Sequence, residues 1–159
     1  MSKIKDMKPK IAFELLWIAL TIVLVCLVLL PIYMTIGDTY AFYKDNSLLI
    51  IISVTFIRYI FLLKHHWIVQ SKWFKIILIF FPIIVLFFLL DVLYNFQLFV
   101  DQEGITSIMN EINYESQNQM TLYIKTEMIF FWVAAFISNA LLPIRMIISL
   151  WRKLNKGTH

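Results

Sequence analysis

Long apolar runs separated by short polar links set the pattern of this chain. Four runs stand out, at 11–33, 47–63, 76–96 and 126–144. Each is close to the roughly 20 residues that carry a helix across a ~30 Å hydrocarbon core. Such runs predict membrane-spanning helices, because lipid offers no partner for backbone polar groups and a helix satisfies them internally. The fold class expected is therefore all-α, a polytopic membrane domain over 1–159 with four transmembrane helices.

The links refine that picture. Residues 34–46 make a short turn punctuated by Gly37-Asp38, and 64–75 make a second short link. Short links predict that runs one and two, and runs two and three, are antiparallel neighbours. The link 97–125 is long. Within it Ile105, Ile108, Met109 and Ile112 fall at i, i+3, i+4 and i+7, one face of a helix, with Glu103, Asn110 and Glu111 on the other. This predicts a short amphipathic helix that either rests on headgroups or docks a partner.

The end of the fourth run, "NALLPIRMIISLWRK", places a charge inside an apolar stretch. Pro143 tends to end or kink a helix. After it, Arg145, Ser149, Arg152 and Lys156 form a polar stripe beside Ile147, Leu150, Trp151 and Leu154. That amphipathic pattern predicts an interfacial helix over 145–155, lying near anionic lipids with Trp151 as an anchor or docking residue. The alternative is a straight helix through Leu150, with Arg145 roughly 10 Å deeper than Arg152.

Composition agrees with a membrane. The chain of 159 residues is 61% hydrophobic and only 15% charged, well above the ~45–50% apolar content of soluble domains. The net charge of +4 is split among the flanks of apolar segments, so it argues for topology and against nucleic acid. Lys3, Lys5, Lys8 and Lys10, then Lys64, Lys72 and Lys75, then Arg152, Lys153 and Lys156 fall on one side. The other two links carry one Lys each, Lys44 and Lys125, beside six carboxylates. The positive-inside rule then predicts both termini in the cytoplasm. The first run has a basic start but no small-residue cleavage site, and it is longer than a signal-peptide core, so it is expected to be retained. The abundance of Ile over Ala and Gly hints at an AT-rich bacterial genome, hence a bacterial inner membrane. The lone Cys26 excludes an internal disulfide.

Deep polar residues are the candidate sites. Glu14, Arg58 and Arg145 reach similar depths in one leaflet, and Glu14 is expected to pair with Arg58, with Arg145 as the alternative partner. Asp91, with Asn95 one turn on, is a candidate cation acceptor at the opposite edge together with Glu127. Asn139, beside Ser138, is the deepest strongly polar side chain and should face protein. The adjacent His65 and His66 do not share a helix face, and the only other histidine is His159. No metal site, cofactor or catalytic residue is expected.

Function is read from this as a non-enzymatic subunit or scaffold of a larger membrane complex. A homo-oligomeric transporter or ion-conducting protein, with Glu14, Arg58, Asp91 and Asn139 near its path, is the alternative. A membrane enzyme acting on lipid around His65, His66 and Arg145 ranks third.

Overall fold

The computed structural model describes residues 2–63, 72–109 and 113–155, with side chains from Ile11 in the first segment and Trp73 in the second. Its architecture is all-helical. Among the described residues there are four α-helices: α1 (Ser2–Ile36), α2 (Tyr43–Phe61), α3 (Lys72–Gln102) and α4 (Tyr114–Asn155). Two 3₁₀ turns, Gly37–Thr39 and Ile105–Ile108, sit in the links. Three helices, α1, α3 and α4, are long and apolar enough to cross a membrane. Helix α2 is shorter, at 19 residues, and carries Lys44, Asp45 and Arg58.

Side-chain bonds between helices fix their registers. Trp132 Nε1 donates to the Leu89 carbonyl at 2.7 Å, Asn139 Nδ2 to the Pro82 carbonyl at 3.0 Å, and Lys75 Nζ to Ser149 Oγ at 2.6 Å. Numbers fall on α3 as they rise on α4, so the two are antiparallel. Asn46 meets Glu127, and Arg145 meets Ile60, so α2 and α4 run parallel. Helix α1 runs antiparallel to α2 and α4, through Glu14–Arg58 and the Tyr123 hydroxyl on the Val28 carbonyl at 2.8 Å.

The core follows from the spacing of apolar residues. Val85, Leu89, Val92 and Phe96 recur at alternating steps of four and three along α3, and Met128, Ala135 and Leu142 at steps of seven along α4. These spacings put each set on one stripe. Leu49, Ile50 and Phe56 of α2 close the core from the second side. One end is covered by aromatic rings, with Phe42 5.5 Å from Phe96 and 5.3 Å from Phe99, centroid to centroid. Helix α1 contributes little: Leu15, Leu16, Ile22, Val23 and Leu27 all face away from the bundle.

Helix α4 differs from the sequence expectation at both ends. It begins at Tyr114 instead of 126, because Asn113 Oδ1 accepts from the Ser116 backbone N–H at 2.9 Å and caps it. It also continues through Pro143 to Asn155, so residues 145–155 extend the spanning helix and form no separate interfacial one. Arg145 explains why no break is needed. Its Nε donates to the Ile60 carbonyl at 2.9 Å, in the last turn of α2. Carbonyls there lack helical donors and carry the negative end of the helix dipole. The half-buried charge is thus met by another helix's terminus.

The link 103–113 also differs. Where an amphipathic helix was expected, Ile105–Ile108 form a single 3₁₀ turn entered through Gly104 at φ +75°. Ile105 and Met109 are buried under the bundle's end and Ile108 is half-buried, so this face points inward and offers no docking surface. Gln117 Nε2 donates to the Met109 carbonyl at 2.8 Å and holds the link against α4. Ile112 lies outside the described residues, as do His65 and His66.

Candidate functional site: a buried polar seam between α2 and α4

Two buried polar side chains, Asn46 and Ser53, lie seven residues apart on the face of α2 that meets α4 at Glu127; Arg58, also buried, sits roughly 140° round the helix and meets Glu14 of α1. Glu127, Ser138 and Asn139 recur on α4. Lipid cannot solvate such groups, so each needs a partner inside the protein. The seam has three levels.

At the outer level, the end opposite the chain termini, Asn46 Nδ2 donates to Glu127 Oε1. Tyr40 lies beside them, 2% exposed, and burial together with the Glu127 carboxyl pushes its hydroxyl well above the ordinary tyrosine range. Three oxygens of this cluster, Glu127 Oε2, Asn46 Oδ1 and the Tyr40 hydroxyl, are buried without a hydrogen-bond partner among the described residues.

At the middle level, Ser53 and Ser138 donate to carbonyls of their own helices, Ile50 at 2.9 Å and Ala135 at 3.0 Å. Asn139 reaches across to Pro82 of α3. Pro143 has no N–H to give the Asn139 carbonyl one turn back on α4, and Pro82 likewise leaves the Leu78 carbonyl of α3 without its helical donor.

At the inner level, Arg58 Nη2 and Glu14 Oε2 form an ion pair at 3.0 Å, both side chains buried. The Arg58 guanidinium also lies 5.0 Å over the Tyr59 ring. Arg145 and Lys75 complete this level, bonded to Ile60 and Ser149.

The candidates from the sequence thus have distinct fates. Glu14 and Arg58 meet, Arg145 bonds to α2, and Asn139 bonds to α3. Asp91 and Asn95 lie on the exposed side of α3, and the bonded partner of Glu127 is Asn46. Trp151 is exposed. Asn46, Tyr40, Lys75 and Ser149 were missed. Asn46 carried a faint signal, as an amide at the boundary of an apolar run, level with the carboxylate that opens the fourth.

Outside the seam, an open cleft of about 630 Å³ lies between the end of α1 and the start of α4. Pro31, Met34 and Thr35 line one side, and Ser116, Gln119, Met120 and Tyr123 the other. None of these residues is charged at neutral pH. Comparison with protein-family models, curated proteins and solved structures gives no match for this chain.

Proposed function

We propose that the protein is a non-enzymatic subunit or scaffold of a larger membrane complex. In this reading all four helices cross a bacterial inner membrane, with both termini in the cytoplasm. The side-by-side registers of α2 with α1 and α4, and the basic residues gathered at the terminus-bearing end, support that topology.

The observation that carries the functional reading is the cleft beside α4. Helix α4 starts 12 residues before the apolar run at 126, roughly 18 Å of helix at 1.5 Å per residue. In this reading that extension runs beyond the apolar run of α4 and, with the end of α1, frames an uncharged cleft of mixed polar and apolar lining. Its chemistry suits an uncharged, partly apolar segment of a partner membrane protein. The deep charges are engaged internally, Glu14 with Arg58, Arg145 with Ile60 and Lys75 with Ser149, a use that fixes helix order.

The test is purification from the native membrane in mild detergent, with the wild type beside Gln119→Trp, which fills the cleft. A stoichiometric membrane partner that is lost from Gln119→Trp supports the reading. Migration as a homo-oligomer with no partner overturns it.

A second reading, an ion- or proton-conducting homo-oligomer, draws on the Tyr40–Asn46–Glu127 cluster and its three buried oxygens. Flux in liposomes that is abolished by Glu127→Gln would favour it. The subunit reading expects Glu127→Gln to leave partner binding intact.

A further inference from the structure

One end of this molecule is heavily unbalanced in charge. In the sequence, twelve of the 14 Lys and Arg residues, all but Lys44 and Lys125, fall in the stretches 1–10, 58–75 and 145–156. The acidic residues in or beside those stretches are Asp6 and Glu14, and Glu14 is paired with Arg58. No Asp or Glu occurs in 59–90 or in 128–159. Neutralising groups therefore cannot come from α3 before Asp91, from α4 beyond Glu127 or from the link 62–71.

The imbalance is concentrated where α3 enters α4. Arg145, Ser149 and Lys153 recur every four residues, one face of α4. Lys75, in the first turn of α3, lies against that face, 6% exposed, with its ammonium on Ser149 Oγ at 2.6 Å. Lys153 and Arg145 both lie close enough to Lys75 to repel its ammonium. The first turn of α3 contains no acidic residue, so its N–H groups add positive potential at the same place. Trp73 and Trp151, each two residues along its helix from Lys75 and Ser149, are both largely exposed. Exposed Trp at helix ends marks headgroup depth.

We infer that Lys75, Arg145, Ser149 and Lys153 form a site for the phosphate of an anionic phospholipid. Arg145 gives one N–H to the Ile60 carbonyl and supplies a planar donor fork besides. Lys75 is held in place by Ser149, and Lys153 sits at the outer lip. Basic pockets between spanning helices at the cytoplasmic side suit such headgroups. Headgroup depth makes the lipid, and not a free phosphate, the source. This site stands independently of the partner reading.

The test uses the full chain in nanodiscs of phosphatidylcholine with or without phosphatidylglycerol, followed by thermal unfolding and native mass spectrometry. The wild type is expected to be stabilised by phosphatidylglycerol and to retain an anionic lipid. Lys75→Gln with Arg145→Gln should lower the preference for that lipid roughly 25-fold, about fivefold per removed charge. The exposed Lys153→Gln should lower it about fivefold without disturbing the fold. Lys44→Gln with Lys125→Gln, at the far end, should leave it unchanged. Equal stabilisation by the two lipids overturns the inference whether or not the double variant folds. Millimolar inorganic phosphate acting in pure phosphatidylcholine discs as phosphatidylglycerol does overturns the lipid assignment.

Discussion

Replacing Glu14 by Gln leaves the Arg58 guanidinium buried at 7% exposure without its counter-ion. Removing one partner of a buried pair costs about 3–5 kcal/mol. Part of that is recovered here. Arg58 lies three residues before the end of α2 at Phe61, roughly 5 Å along the helix, within reach of the interface for a long side chain. Its guanidinium also keeps the Tyr59 ring at 5.0 Å. The expected net loss is about 2–3 kcal/mol. Helix α1 has little packing of its own, so the loss should appear as release of its N-terminal half before the rest of the bundle unfolds. The assay is a double-mutant cycle of Glu14→Gln, Arg58→Gln and the double variant, followed by reversible unfolding in mixed micelles and by proteolysis of α1. A coupling energy of about 2 kcal/mol is expected, whereas additivity within ~0.5 kcal/mol refutes the reasoning. The charge swap Glu14→Arg with Arg58→Glu should restore most of the stability. It should fall short by about 0.3–1 kcal/mol, because Arg58 occupies the last turn of α2, where a carboxylate opposes the helix dipole.

Further predictions rest on single contacts. Arg145→Met strips the Ile60 carbonyl of its donor and should cost about 1–3 kcal/mol, with faster amide exchange in the last turn of α2; an unchanged exchange rate there contradicts the contact. Asn139→Leu, with the same number and branching of side-chain heavy atoms, should lower stability by about 1 kcal/mol through the bond to Pro82, read from the unfolding midpoint; no change would show that the bond contributes nothing net. Gly104→Ala should cost about 1–3 kcal/mol from backbone strain alone, since an added Cβ meets only Thr106 Oγ1 at 3.7 Å. The folded state holds the Tyr40 proton more tightly than the unfolded chain does, so stability should be insensitive to this group below pH ~10 and fall by up to ~1.4 kcal/mol per pH unit above it. Tyr40→Phe should lack that component of the alkaline decline, and identical slopes for the two proteins would rule it out.

Much of this architecture was legible in the chain. Apolar runs of membrane length declared helices, because spacing and hydropathy are local properties and lipid leaves the backbone few alternatives. The depths of Glu14 and Arg58 from the nearest basic flanks put them at one level, and opposite charges at one level in a small bundle have every reason to meet. Asn139 was expected to face protein for the same reason, since a deep amide facing lipid is costly.

Other features came only from the tertiary structure. Pro143 reads as a helix end in sequence. What carries α4 past it is a carbonyl on another helix, and no local rule relates residue 145 to residue 60. Ile105, Ile108, Met109 and Ile112 have a helical period, yet a link that must cover the bundle's end turned Ile105 and Met109 inward. Periodicity shows that residues share a face; it does not say which way the face turns. Asn46 and Lys75 looked like ordinary boundary residues until α2 and α3 brought them to α4, and Tyr40 likewise until the link before α2 buried it near Glu127. The sequence by itself determined that this chain lies in helices within a membrane, because that depends on local transfer energies. Which helix meets which, and so which polar groups satisfy one another, depends on contacts between residues far apart in the chain, and only the packed bundle decided it.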